Sequence, residues 1–200
     1  MTSTNRRFVT GISSVSGGGK TSVSRRLADL LDDSVILCFD DYDNTNIHPE
    51  NLPVWLIKGG DYNAWRTPVL TKDLQALTTG EPIKSPIDGS EILPAEHIIF
   101  DAPLGRAHSD TGRFIDFLVF IDTPLDVAMA RRLLRDFANT EAHADTAMRS
   151  MEVELRSYLN EARQVYLEFQ DRIKLQSDLV LDGCLSPDEL AGEIRARVAG

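Results

Sequence analysis

Hydrophobic and polar positions alternate along this chain in two distinct rhythms. Five short runs are nearly continuous in apolar residues: Phe8, Val9 and Ile12; Val35 to Phe39; Ile98 to Phe100; Phe117 to Ile121; and Leu179 to Leu181. Runs of this length suit strands of a parallel sheet covered on both faces. Between them lie segments of helical period. Val23, Leu27, Leu30 and Leu31 share one face of a helix that begins at Lys20. Thr67 and Pro68 cap a second helix through Leu70, Leu74 and Leu77, which ends near Gly80. Thr123, Pro124 and Asp126 start a third, whose apolar face holds Leu125, Ala128, Met129 and Leu133. A long helix follows with Met151, Leu155, Tyr158, Leu159, Ala162, Tyr166 and Phe169 as core positions, and a capping box from Ser186 to Glu189 opens a closing helix through Leu190, Ile194 and Val198. Strands alternating with helices at five places predict an α/β fold, with a parallel sheet, right-handed crossovers and helices on both faces.

Two segments escape both rhythms. Residues 44–67 have no clean period and carry His48, Trp55, Trp65 and the pair Gly59 and Gly60, and residues 81–96 hold three prolines, which allows at most a short hairpin. Both are expected to form the acceptor-binding region. Residues 137–150, polar and alanine-rich between two helices, are the candidate lid.

The chemistry concentrates between the first strand and the first helix. Ser16, Gly17, Gly18, Gly19, Lys20, Thr21 and Ser22 form a glycine-rich turn opening a helix, the context of a phosphate-binding loop. The glycines let backbone N–H groups converge on phosphate oxygens, Lys20 reaches the β- and γ-phosphates, and the Thr21 hydroxyl can ligate Mg²⁺. Ser14 stands where the pattern G-x-x-x-x-G-K-[ST] usually has its first glycine. Acids follow two other strands directly: Asp40 and Asp41 after the second, Asp101 after the third. Ligands of open α/β sheets bind off the carboxyl ends of the strands, so these acids face the phosphate site. Asp101 is then the residue to hold Mg²⁺ or its waters. Tyr42 and Trp65 can stack on an acceptor ring, with core packing as the equal alternative, and Asp88 is a weaker acceptor contact.

The formal charge of −10 argues against a general nucleic-acid surface, whereas Arg131, Arg132 and Arg135 supply a local cluster for a triphosphate. Cys38 and Cys184 show no ligand spacing and read as reduced core thiols. With 42% hydrophobic residues, no signal peptide and no run long enough to span a bilayer, the 200 residues are expected to form one cytoplasmic domain with no membrane partner. Beside the small-molecule acceptor, the one partner left to consider is a second copy of the chain, as a homo-oligomer.

The series Ser16 to Thr21, then Asp40-Asp41-Tyr42, then Ile98 to Asp101, then Asp122-Thr123, then Arg131-Arg132-Leu133-Leu134-Arg135-Asp136 resembles the uridine kinase and phosphoribulokinase family of P-loop kinases. Tyr166 to Phe169 and Ser177 to Leu181 extend the likeness over most of the chain. The resemblance implies a P-loop NTPase fold with strand order 2-3-1-4-5, ATP and Mg²⁺ as cofactors, and a small-molecule hydroxyl as acceptor. It aligns Asp40 with the catalytic aspartate, Asp101 with a family glutamate, and Arg132 and Arg135 with lid-helix arginines that contact substrate and phosphate. The hairpin that reads the base in pyrimidine nucleoside kinases is cut here to Ser85 to Ile92. The resemblance as a whole puts a nucleoside first as acceptor, with pantothenate, nicotinamide riboside or a pentose phosphate as the alternative that the shortened hairpin raises, and an acceptor-independent nucleotide switch as the reading from another class.

Overall fold

The computed structural model describes residues 6–138 and 144–198. The central strand β1 (Phe8–Ser13) pairs in parallel with β5 (His97–Asp101) on one side and β6 (Phe117–Asp122) on the other. Strand β2 (Ser34–Cys38) extends the sheet beyond β5, and β7 (Leu179–Asp182) extends it beyond β6. Counting these five strands alone, the order is 2-3-1-4-5, as the resemblance implies. The sequence-predicted hairpin is present, with β3 (Ile83–Lys84) antiparallel to β4 (Glu91–Ile92).

The near-continuous apolar strands are explained by two cores, one on each face of the sheet. Ile12, Ile99, Val119 and Ile121 point to one face, where they meet Val23 and Leu27 of α1 (Lys20–Leu30) and Leu190 and Ile194 of α8 (Pro187–Val198). Val9, Ile98, Phe100, Leu118 and Phe120 point to the other, against Leu70, Leu74 and Leu77 of α3 (Pro68–Thr79) and an aromatic group from residues 44–67. Successive strand residues face opposite sides, so a strand covered on both faces needs apolar residues at every position. Where the sequence supplies local stop signals, the ends fall as expected. Gly80 closes α3 at φ 88°, and the Ser186 hydroxyl accepts from the Glu189 amide (3.3 Å) while donating to its carboxylate (2.7 Å).

The structure corrects the sequence at four places. Residues 44–67 contain the short α2 (Leu52–Ile57), whose first turn is capped by Asn51, and a 3₁₀ turn over Tyr62–Ala64. Thr123 does not cap the helix it precedes; beyond the one-turn α4 (Ser109–Gly112), α5 (Leu125–Phe137) starts after Pro124, and the Thr123 hydroxyl donates instead to the Gly18 carbonyl (2.9 Å). The long helix is broken into α6 (Ala144–Ser157) and α7 (Arg163–Lys174) by a π-helical segment over Tyr158–Ala162. Widening the turn rotates the following residues about the axis, and Leu159, expected in the core, is 69% exposed. Cys184 is exposed and Cys38 half-buried at the end of β2, so neither is the core thiol that the sequence suggested. The candidate lid, residues 137–150, takes in the end of α5 and the first half of α6, and residues 139–143 lie outside the described residues.

Candidate active site

Strand β1 delivers its last residue, Ser13, to a loop that turns back into α1. Gly17 and Gly19 adopt left-handed φ values of 81° and 101°, where a side chain would strain the backbone. A Cβ on Gly17 would also lie 2.2 Å from the Ala128 carbonyl of α5. The result is a concave backbone at the N-terminus of α1. Among the described residues, the amides of Gly17, Gly19, Lys20 and Thr21 make no hydrogen bond to the protein, which leaves them free for an anion. The Gly18 amide is different: it donates to the Val15 carbonyl (2.9 Å), and Gly18 stays out of the cleft although the motif includes it.

The loop forms one wall of a cleft of about 520 Å³ lined by Ser16, Gly17, Gly19, Lys20, Thr21, Ser22, Arg25, Asp40, Asp101, Arg131 and Arg135. Four cationic side chains thus face two carboxylates, a positive pocket in a chain whose net charge is −10. The Lys20 ammonium rests on the Ser14 carbonyl (3.3 Å) and 3.9 Å from Asp101. Burial pushes the Asp101 carboxyl up, while Lys20 and the Thr21 hydroxyl favour its charged form and Asp40 opposes it. A buried carboxylate beside a threonine hydroxyl is a hard oxygen donor set, and Mg²⁺ fits it. Asp40 begins the 3₁₀ turn Asp40–Tyr42 that follows β2, and its neighbour Asp41 is pushed up by burial and then by Asp40. Cys38, at the end of β2, has its thiol pushed up to about 12 by burial and by Asp101, Asp41 and Asp40, which keeps it protonated and unreactive.

Arg131 and Arg135 lie one turn apart on α5 and share its cleft face. Hydrogen bonds from Arg135 to Asp136 (2.7 and 3.2 Å) hold its guanidinium charged, and Asp40 adds to this from within the cleft. Arg132, which the resemblance named together with Arg135, is turned away from the cleft. It is buried against an ion pair with Glu154 of α6 and donates to the Tyr166 hydroxyl of α7 (2.8 Å). One residue along a helix is a rotation of about 100°, so Arg132 cannot share a face with both neighbours.

Four further expectations do not reach the cleft, and the first is Asp41: the turn that brings Asp40 to the cleft leaves its neighbour out of the lining. Tyr42 is 1% exposed and donates its hydroxyl to Asp73 of α3 (3.0 Å). Trp65 is 6% exposed and packs with Trp55, Tyr62 and Phe169, at ring-centroid distances of 4.8, 6.2 and 5.9 Å. Large aromatic surfaces gain more from burial in such a group than from an open loop, so both rings became core. Asp88 sits in the exposed β3–β4 turn, where hydrogen bonds led by the Ser90 hydroxyl lower its pKa to about 2. It is a turn residue and lines no part of the cleft. Arg25 was missed, although its signal was legible: it lies one helical turn beyond Thr21 on the same face of α1.

A parallel sheet with this order, helices on both faces and a glycine-rich loop after the central strand define the P-loop NTPase fold in its kinase form. Solved structures with the same fold include a possible uridine kinase from Bacillus stearothermophilus, with a TM-score of 0.51, 19% identity and coverage of 88% of this chain and 89% of that one. Shikimate kinase from Aquifex aeolicus also has a TM-score of 0.51, at 16% identity over 96% of this chain and 97% of that one. In sequence, the chain is similar to curated proteins named uridine kinase. The one from Deinococcus deserti is 27% identical, over 99% of this chain and 100% of its own length. The one from Clostridium tetani is 26% identical, over 88% and 87%. No family model matches. The chain is thus a relative of P-loop kinases that act on small molecules.

Proposed function

We propose that this protein is an ATP-dependent kinase that transfers the γ-phosphoryl group to a hydroxyl of a small molecule, with a nucleoside such as uridine as the first acceptor to test. The single observation that carries the reading is the convergence, in one cleft, of a lysine-tipped nest of free amides with two strand-end acids. Phosphoryl transfer asks a protein for positioning and for stabilisation of charge on the equatorial oxygens, with little covalent chemistry. The amides of Gly17, Gly19, Lys20 and Thr21 would bind the phosphates. Lys20, held beside Asp101 and the Ser14 carbonyl, would turn to the γ-phosphate. Thr21 and Asp101 would hold Mg²⁺, which supplies further charge neutralisation when bound. Asp40 would orient the incoming hydroxyl and accept its proton, and Arg135, with Arg131 beside it, would close on the transferring group. Residues 1–200 are read as one domain, with 137–150 as its lid.

A second acceptor class is supported by the shortness of the β3–β4 hairpin, two residues per strand, and by the burial of Tyr42 and Trp65. Both features weaken the case for a base-reading surface and favour a vitamin or sugar alcohol. The test is incubation of Mg-ATP with a panel of uridine, cytidine, pantothenate, nicotinamide riboside and pentose phosphates, with mass spectrometry of each acceptor. A phosphorylated uridine supports the nucleoside reading, and phosphorylation of another member supports the second. ADP release with every acceptor unmodified would sink the kinase reading in favour of a nucleotide switch.

A further inference from the structure

The phosphate loop departs from its usual pattern at Ser14, and a compensating change sits at Gly18. In G-x-x-x-x-G-K-[ST] the first position is glycine and the fifth is free; here the first is Ser14 and the fifth is Gly18. The structure shows that the two are in contact. A Cβ on Gly18 would lie 1.8 Å from Ser14 Oγ and 2.8 Å from Ser14 Cβ. The φ of Gly18 is not in the left-handed region, unlike those of Gly17 and Gly19, so its lack of a side chain answers a need for space rather than for conformation. The space is filled by a buried hydroxyl that donates to the Ile121 carbonyl of β6 (2.7 Å). Two residues on, the buried Thr123 hydroxyl donates to the Gly18 carbonyl (2.9 Å), and the Gln170 amide of α7 donates to the Thr123 carbonyl (3.0 Å).

We infer that Ser14 and Thr123 are positioning residues: their hydroxyls clamp the glycine-rich loop to the end of β6 at two points, and Gly18 has taken over the glycine requirement that Ser14 vacated. Three consecutive glycines make the free loop costly to order, because glycine loses more backbone freedom on folding than any other residue. A loop already held in its concave form has less to lose when phosphate arrives, so the clamps act on affinity without touching the ligand. Returning Ser14 to the commoner glycine is then harmful in this chain, since it removes one clamp and leaves the Ile121 carbonyl with the Thr123 amide (3.1 Å) as its remaining donor. This inference rests on the nucleotide reading of the same loop, and its test separates the two.

Mg-ATP binding by calorimetry is compared for the natural protein, Ser14→Gly, Gly18→Ala and the double variant, alongside Thr123→Val and Thr123→Ser. Amide hydrogen exchange over residues 15–20 is measured on each chain without ligand, and thermal melting checks that each variant folds. Ser14→Gly and Thr123→Val are expected to weaken Mg-ATP about tenfold and to speed loop exchange, with Thr123→Ser close to the natural protein. Gly18→Ala is expected to be the weakest binder. The double variant recovers part of that loss, because replacing Ser14 removes the two atoms nearest to the new Cβ, while the Val15 carbonyl stays 2.9 Å away. Unchanged affinity and exchange in Ser14→Gly, or a double variant no better than the two losses combined, would overturn the inference. Should the natural protein bind no Mg-ATP, the nucleotide reading fails. The exchange rates then decide the clamp alone, supporting it if Thr123→Val loosens the loop and Thr123→Ser does not, and refuting it otherwise.

Discussion

The phosphate cleft and the region expected to bind the acceptor are built in different ways. The cleft wall formed by the glycine-rich loop, Lys20, Thr21 and Asp101 is assembled from backbone amides and side chains fixed by contacts to β6 and β5. Residues 44–67 and the β3–β4 hairpin contribute none of the cleft's lining, and the large aromatic side chains of 44–67 pack inward against Phe169 of α7. Gripping a polyphosphate is the same task for every acceptor and is met by a rigid nest. Selecting an acceptor is a separate task, and the aromatic residues suited to it here serve stability instead. A phosphate site can therefore be read from this chain with more detail than the molecule it phosphorylates.

Substitutions in the two regions should consequently fail in different ways. Lys20→Ala is expected to lower kcat/KM about a thousandfold, roughly 4 kcal/mol of transition-state stabilisation, with the melting temperature close to that of the natural protein. Steady-state kinetics beside a thermal melt checks both halves of that statement. Trp65→Ala should do the reverse. Removing a buried indole from a packed aromatic group costs about 3 kcal/mol or more of stability, read by urea denaturation, while turnover of the fraction that remains folded changes only a few-fold. Equal loss of turnover and stability in both variants would erase the distinction between the two regions.

A smaller effect comes from His108, which anchors the inward-packed region. It is fully buried, its Nε2–H donates to the Trp65 carbonyl (2.8 Å), and its Nδ1 accepts from Thr111 (2.7 Å). Burial pushes the imidazole's pKa down, so the folded protein holds it neutral while the unfolded chain titrates normally. A group with a depressed folded pKa contributes stability that is present above about pH 6.5 and lost as the pH falls below it. Denaturation midpoints should therefore decline between pH 7 and pH 5, and His108→Gln should flatten that part of the profile. An equally steep profile in the variant would assign the decline to other groups.

The sequence was most legible where one physical requirement fixed one residue type. Strands buried on both faces demanded apolar residues throughout, and the five runs became the five sheet strands. Gly80 and Ser186 marked ends because a left-handed closing residue and a capping hydroxyl have few substitutes. Legibility fell where several partners competed for one side chain. Thr123 could cap α5 or tie down Gly18, and its tertiary partner won. Arg131, Arg132 and Arg135 look alike in sequence, and only the rotation of α5 separates the cleft pair from the one bound to Glu154 and Tyr166. The π segment at Tyr158–Ala162 leaves the hydrophobic period almost intact while moving Leu159 into solvent.

The central claim is that Asp40 lies in the phosphate cleft in order to direct an acceptor hydroxyl at the terminal phosphate. The most direct test is the rate of ADP release at saturating Mg-ATP, with and without uridine, in the natural protein and in Asp40→Ala. The account predicts release that uridine stimulates and that falls about a hundredfold or more in the variant. Release that ignores uridine and every other acceptor in the panel, and that survives Asp40→Ala, would contradict it.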